Sequence, residues 1–381
     1  MAEQATPRAA AAVPDPVVQD SREGALARRL TALAAVAREA GVGRLVLRDP
    51  ATLAWLLEAR VHVPQTLESA CLDVVVDARG ADPSLSVVCN AIEAPRLRGT
   101  ELAGLPVEWD VVPWWTPRDE RLPSGPSVGS DRAAGATADV SGAVVALRRV
   151  LDPRQQRLLA EVSRDAAAAA TRAAHQLTPR MSEYAAAGTF AAELLAAGLD
   201  PVVLMVGGGE RPGVHRHPLP TDAPLGERAM LVCCARRHGL IASVTRVVAF
   251  DRLDPARRDS YRRLLEVERA FLDASRPGTR LGDAFSAGTA AYAERGFAAD
   301  EWHRHHQGGL SGFMPREFPA HAESDVQLTT GSVVAWNPSA DGLKVEDTAV
   351  VGADGPEALV HDPDWPSLQV GGRSRPDVLV R

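Results

Sequence analysis

Residues 302–317 read Trp302-His-Arg-His-His-Gln-Gly-Gly-Leu-Ser-Gly-Phe-Met-Pro-Arg-Glu317, and residues 335–348 read Ala335-Trp-Asn-Pro-Ser-Ala-Asp-Gly-Leu-Lys-Val-Glu-Asp-Thr348. In the first stretch His303, His305 and His306 precede Gly308, Gly309 and Gly312. Glycine lets backbone approach a ligand closely. On a strand His303 and His305 would share one side, which suits a metal ion. The same three rings also suit a solvated, hydrogen-bonded cluster. In the second stretch Lys344 and Glu346 lie two residues apart and would face the same way on a strand. They read as a surface ion pair or, in a pocket, as a pair that binds a substrate carboxylate and exchanges a proton. A third polar cluster, His215-Arg-His217-Pro-Leu-Pro-Thr221, follows the triple glycine Gly207-Gly208-Gly209. Loops held by a scaffold often carry function; otherwise His217 only bonds its own loop.

Outward from these stretches, GSVVAW (331–336) and the apolar runs before and after His238-Gly239 read as strands, the latter two as a hairpin. Helical patterns cover about 153–176, 182–197, 255–275 and 281–295. Ser182 caps the second of these, with Glu183 at its positive end. Helices, strands, helices and strands in that order predict an α+β unit over 141–381, with the last twenty residues as loop. Upstream, a helix from Arg22 to Ala40 precedes short apolar runs (GRLVLRD, CLDVVVDA, SLSVVCN) separated by helical pieces near 53–57 and 94–102. That alternation predicts an α/β domain over 22–140, whose Pro/Gly/Ser-rich end from Pro113 to Val140 reads as linker. Residues 1–21 read as a disordered tail.

The chain has 381 residues, 42 Lys plus Arg, 49 Asp plus Glu and a net charge of −7. An acidic balance argues against nucleic acid as a partner. Four cysteines in no disulfide or zinc spacing predict buried, reduced thiols. No apolar run approaches the roughly 20 residues a bilayer needs, and the N-terminus lacks a signal pattern; a cytoplasmic protein without membrane contact is expected. Of the basic residues only Lys344 is lysine. The arginine excess reads as coding bias, which makes that lysine worth following.

The three clusters, in their order, resemble the creatinase/prolidase/aminopeptidase P superfamily, the pita-bread fold. Trp55-Leu-Leu and Asn90-Ala-Ile-Glu-Ala-Pro-Arg96-Leu resemble its N-terminal domain. His217-Pro resembles its entrance histidine, Val232 to Arg246 its central hairpin, Gly308 to Glu317 its Gly-His-Gly segment, and Trp336 to Thr348 its two glutamate strands. The resemblance implies a C-terminal pita-bread domain behind a creatinase-type N-terminal α/β domain, and a homodimer. Family metallopeptidases hold two metal ions with two Asp, one His and two Glu. Residue by residue those positions fall on Val232, Ser243, Gly309, Asn337 and Glu346. Only Glu346 can donate strongly, so no metal and no other cofactor is expected there.

Creatinase itself works without metal, and the resemblance implies the same here: C–N cleavage in a small polar substrate. His217 would be general base and acid. Glu346 would hold the imidazolium or a cationic substrate nitrogen, and Glu317 would share that work. Lys344, Arg316, His305, His306, His215, Asn337, Ser243 and Gly309 would line the substrate site. Trp55, Arg60 and His62 would add contacts. Two other readings stand beside this one: a non-catalytic binding protein, and a metallohydrolase with an altered metal site.

Overall fold

The computed structural model describes residues 21–381 except 62, 64–68, 133–135 and 361. Residues 1–20 of the expected tail and His62 therefore lie outside the described residues, while Ser21 belongs to the first helix as its cap. The chain divides into two compact units, one of residues up to 47 plus 72–140, the other of 48–71 plus 141–381.

The first unit starts with helix α1 (Arg22–Glu39). Ser21 caps it, accepting a hydrogen bond from the Gly24 N–H at 3.0 Å, an arrangement worth about 1 kcal/mol. Its apolar positions Leu26, Leu30, Leu33 and Val36 are buried. Strands β1 (Arg44–Leu47), β2 (Leu72–Asp77), β3 (Ser84–Asn90), β4 (Glu108–Val112), β5 (Val128–Ser130) and β6 (Ala138–Asp139) form one sheet in the order β4-β3-β2-β1-β5-β6. Here the linker reading of Pro113 to Val140 is corrected, because β5 pairs parallel with β1. Gly129 explains why so short a run fits. A Cβ there would lie 2.9 Å from a Leu45 methyl, so only a bare backbone lets β5 sit against β1. The helix expected at 94–102 is a short α turn that runs into a π-helical turn at Leu97–Glu101.

The second unit takes in 48–71 through helix α2 (Pro50–Leu57). Its N-cap Asp49 and its Thr52 both accept hydrogen bonds from Arg148, each at 2.8 Å. Arg148 ends helix α3 (Ser141–Arg148). Helices α4 (Pro153–Gln176) and α5 (Glu183–Ala196) follow, α4 opened by a capping box of Asp152 and Gln155. Then come β7 (Asp200–Gly208), β8 (Arg228–Arg237), β9 (Leu240–Ala249), α6 (Pro255–Ala274), α7 (Leu281–Glu294), β10 (Gly308–Ser311), β11 (Phe318–Pro319), β12 (Val333–Trp336), β13 (Ser339–Ala340), β14 (Leu343–Lys344), β15 (Asp347–Gly352) and β16 (Gly355–Ala358). The main sheet runs β11-β10-β12-β15-β9-β8-β7.

Period-two alternation along β8 separates core from cleft. Leu231, Cys233 and Ala235 join the core under the alanine-rich α4 and α5. Val232 and Cys234 instead line an open cleft. A second core joins α6 and α7 to β10, β12 and β15. There Trp336 stacks on Phe271 at 4.6 Å between ring centroids, and its indole N–H reaches Ser275 Oγ at 2.9 Å. The C-terminal end is not loop: β17 (Ser367–Val370) and β18 (Arg373–Pro376) make a hairpin, and β19 (Leu379–Val380) runs parallel to β9. Gly371 and Gly372, both at positive φ, make the turn. Among the described residues no helix is long and apolar enough to cross a membrane.

Candidate functional site

The cleft has a volume of about 630 Å³, within the size range of small-molecule sites. Its His217 comes from the loop after β7. Gly207 and Gly208 let that loop fold back. A Cβ on Gly207 would lie 2.7 Å from Pro218, and one on Gly208 would lie 2.5 Å from the Leu225 backbone. Glu183, fully buried at the start of α5, ties the loop down. Its carboxylate accepts hydrogen bonds from the Gly208 N–H (2.8 Å), the Thr221 N–H (2.9 Å) and the Thr221 hydroxyl (2.7 Å), and pairs with Arg211. The residue read as a helix-dipole partner is thus also the anchor of the His217 loop.

His217 meets His305, their Nε2 atoms 3.1 Å apart, and His306, with ring centroids 5.6 Å apart. Ring nitrogens of all three lie within 4.8 Å of one another. Local spacing groups His303 with His305 and His306, whereas the fold joins His217, His305 and His306, the three that the family resemblance puts in one site. Residues Glu301–Arg304 form a 3-10 turn, not a strand, so His303 is exposed against Trp302 and His217 supplies the third ring. Behind His305, Ser339 Oγ lies 3.4 Å from Nδ1. Desolvation and the Lys344 charge lower all three imidazoles, although only His305 is buried and the His217 and His306 side chains keep exposed surface at the cleft. His305 is pushed down to about 2. His306 is pushed to about 4 by burial and Arg316, and His217 is lowered by burial and Lys344.

Glu346 sits in the break between β14 and β15, 2% exposed. Its Oε1 accepts from Arg316 at 2.6 Å, and its Oε2 lies 2.7 Å from Lys344 Nζ and accepts from Thr245 Oγ1 at 3.2 Å. Burial alone would raise this carboxyl, but Lys344 and Arg316 hold it at about 2. Both oxygens are therefore engaged, which corrects the expectation that Glu346 takes a cationic substrate nitrogen. Lys344 is 3% exposed and has Glu346 as its one ion-pair partner among the described residues. An ammonium carries three N–H donors. Asn337 is also buried in the cleft wall, and its Oδ1 has no partner.

A dinuclear metal site does not fit these residues. Val232 faces the cleft with an aliphatic side chain, and Gly309 brings no donor. Ser243 Oγ lies between Cys234 Sγ (3.4 Å) and Arg316 Nη1 (3.5 Å). The one carboxylate already neutralises protein cations. The three imidazoles are the only cluster of ligating side chains of metal-site geometry among the described residues. The Lys344 charge beside them opposes a cation.

Other expected site residues fall elsewhere. Glu317 does not join the cleft. Its side chain is fully buried on Arg148, at 2.9 Å, and accepts the Phe313 N–H at 3.2 Å. Its expected catalytic role is corrected to an ion pair that joins α3 to the turn after β10. His215 is exposed at the end of a short helical turn. Gly309, at φ 145°, is locked in the sheet: a Cβ would lie 2.2 Å from the Phe318 carbonyl oxygen. Ser243 stands behind Arg316 rather than in the cleft lining. Cys233 and Cys234 are buried thiols, pushed up by burial. Sequence reasoning missed the apolar wall, Val202 to Met205 of β7 with Leu219. A strand beside the triple glycine was the available signal.

The fold with its histidine-lined cleft places the chain among pita-bread proteins, and the comparisons give its family. The profile of metallopeptidase family M24 matches residues 157–353, more than half of the chain, and the chain belongs to that family. The Mycobacterium tuberculosis protein named "Probable dipeptidase PepE" is 26% identical over 367 residues, 88% of this chain and 95% of the other. A Bacillus subtilis relative, YkvY, is 26% identical over 162 residues; the match spans 41% of this chain and less than half, 44%, of that one. The crystal structure of dipeptidase PepE from Mycobacterium ulcerans superposes with a TM-score of 0.72 at 21% identity, covering 94% of this chain and 98% of the other.

Proposed function

We propose that this protein hydrolyses a C–N bond in a small polar substrate without the dinuclear metal centre of its family. The observation that carries this is the pairing of Lys344 and Arg316 with Glu346 beside three clustered imidazoles. The dipeptidase names of its relatives support a hydrolase. His217 takes a proton from water as the water oxygen bonds the substrate carbonyl carbon. Arg316 faces the developing oxyanion and stabilises it electrostatically. His217 then returns its proton to the departing nitrogen, the C–N bond breaks, and an acid and an amine leave. His305 orients His217: with Nδ1–H donated to Ser339, its Nε2 accepts from His217 and leaves His217 Nδ1 as the base.

The test is turnover by His217→Ala, expected to fall by about 10²–10⁴ with the fold retained; unchanged turnover would overturn the reading. A second reading rests on the histidine cluster, a donor set that suits a single zinc-type ion. One equivalent of bound metal that activity requires would favour it.

A further inference from the structure

We infer that the cleft selects an acid without a free amino group: an N-acylated amino acid rather than a dipeptide. This deepens the hydrolase reading by naming the substrate class of the same site. Three observations converge on it. Lys344 and Arg316 face Glu346, the one carboxylate lining the cleft, so two protein cations stand there against one anion. Both Glu346 oxygens are already bound by Lys344, Arg316 and Thr245. A substrate ammonium therefore meets two cations and no free anion, and like charges in a partly desolvated cleft repel strongly. A substrate carboxylate meets the unused N–H donors of Lys344.

The second observation is Asn337. Its buried Oδ1 lacks a donor, and burial of an unsatisfied acceptor costs free energy that a ligand N–H recovers. A secondary amide supplies that N–H next to the carboxylate. The third is the β7 wall, Val202 to Met205, with Leu219. It suits an aliphatic side chain. Carboxylate, amide N–H and aliphatic arm together describe an N-acyl aliphatic amino acid. Hydrolysis adds one water across its acyl C–N bond and yields a carboxylic acid and a free amino acid.

The test is calorimetric titration of the purified full chain with four probes of similar size: N-acetylleucine, 4-methylpentanoate, leucinamide and leucylglycine. N-acetylleucine is expected to bind most tightly, with both amine-bearing probes weaker by about tenfold or more. Lys344→Met should weaken both acids. Asn337→Leu should weaken N-acetylleucine and leave 4-methylpentanoate unchanged, because that probe has no amide. Equal or tighter binding of leucinamide or leucylglycine would overturn the inference, and so would failure of both acids to bind. The Asn337→Leu comparison decides the matter if Lys344→Met does not fold. Release of acetate and leucine is measured separately. Binding in the expected order without release would sink the hydrolase reading and leave the ligand class standing.

Discussion

Replacing Lys344 with Met keeps a side chain of similar length and removes the charge. Lys344 and Glu346 are 3% and 2% exposed and 2.7 Å apart. Deleting one partner of such a pair typically costs about 3–5 kcal/mol. Here Arg316 and Thr245 stay on Glu346, so the loss is smaller. The Glu346 carboxyl is held at about 2 against an ordinary 4.5, which corresponds to about 3 kcal/mol. Lys344 and Arg316 share that sum, so Lys344→Met should lose about 2 kcal/mol at pH 7, or roughly 4–8 °C in melting temperature. Because the folded pKa is depressed, this stabilisation is fully present above pH 4.5 and is lost as pH falls through about 2. The variant's carboxyl reprotonates at higher pH, and its three histidines escape a charge that disfavours their protonation. Both effects narrow the gap between wild type and variant in acid. Melting by circular dichroism at pH 7 and pH 3.5 reads it directly. In turnover, the acid limb of the rate profile, set by His217 below its ordinary 6.5, should move up toward 6.5. A gap that is absent at pH 7, or constant with pH, would refute the ion-pair reasoning.

Glu317→Gln should cost about 1–3 kcal/mol, because Arg148 loses one buried anionic partner and keeps Asp49 and Thr52, while the kcat of the folded protein stays near wild type; a fall in kcat larger than about tenfold would return Glu317 to the active site. His305→Gln should flatten the acid-side loss of stability. The unfolded state protonates this residue below 6.5 while the folded state resists to about 2, so wild type loses stability as pH falls from 6.5 and the variant should lose less, measured by urea midpoints between pH 6.5 and 4.5. Gly309→Ala should destabilise by about 1–3 kcal/mol through its positive φ and the Phe318 carbonyl; an unchanged melting point would contradict the backbone account.

Much of the fold was legible because its elements are long and periodic. The helices over 153–176, 255–274 and 281–294 and the hairpin around His238-Gly239 lie where spacing placed them. What escaped was short or set by tertiary contact. Strand β5 has three residues, and only its place beside β1 makes it a strand. The C-terminal hairpin was hidden by Gly and Pro that serve as its turn and end. In the site, the pairing of Lys344 with Glu346 followed from their two-residue spacing. The histidine cluster did not: local spacing joined His303 to His305, while the fold joins His305 to His217, 88 residues away. Glu317 misled because a carboxylate in a family segment carries no sign of its partner, and Arg148 is supplied from 169 residues upstream.

In the proposed function two protein cations on Glu346 replace the family's dinuclear metal centre. Elemental analysis of protein expressed with added manganese, zinc and cobalt tests this, coupled to turnover of an N-acyl amino acid before and after exhaustive chelation. Metal well below one equivalent and turnover unchanged by the chelator are expected. One or two equivalents of metal, with activity abolished by their removal and restored by their return, would contradict it.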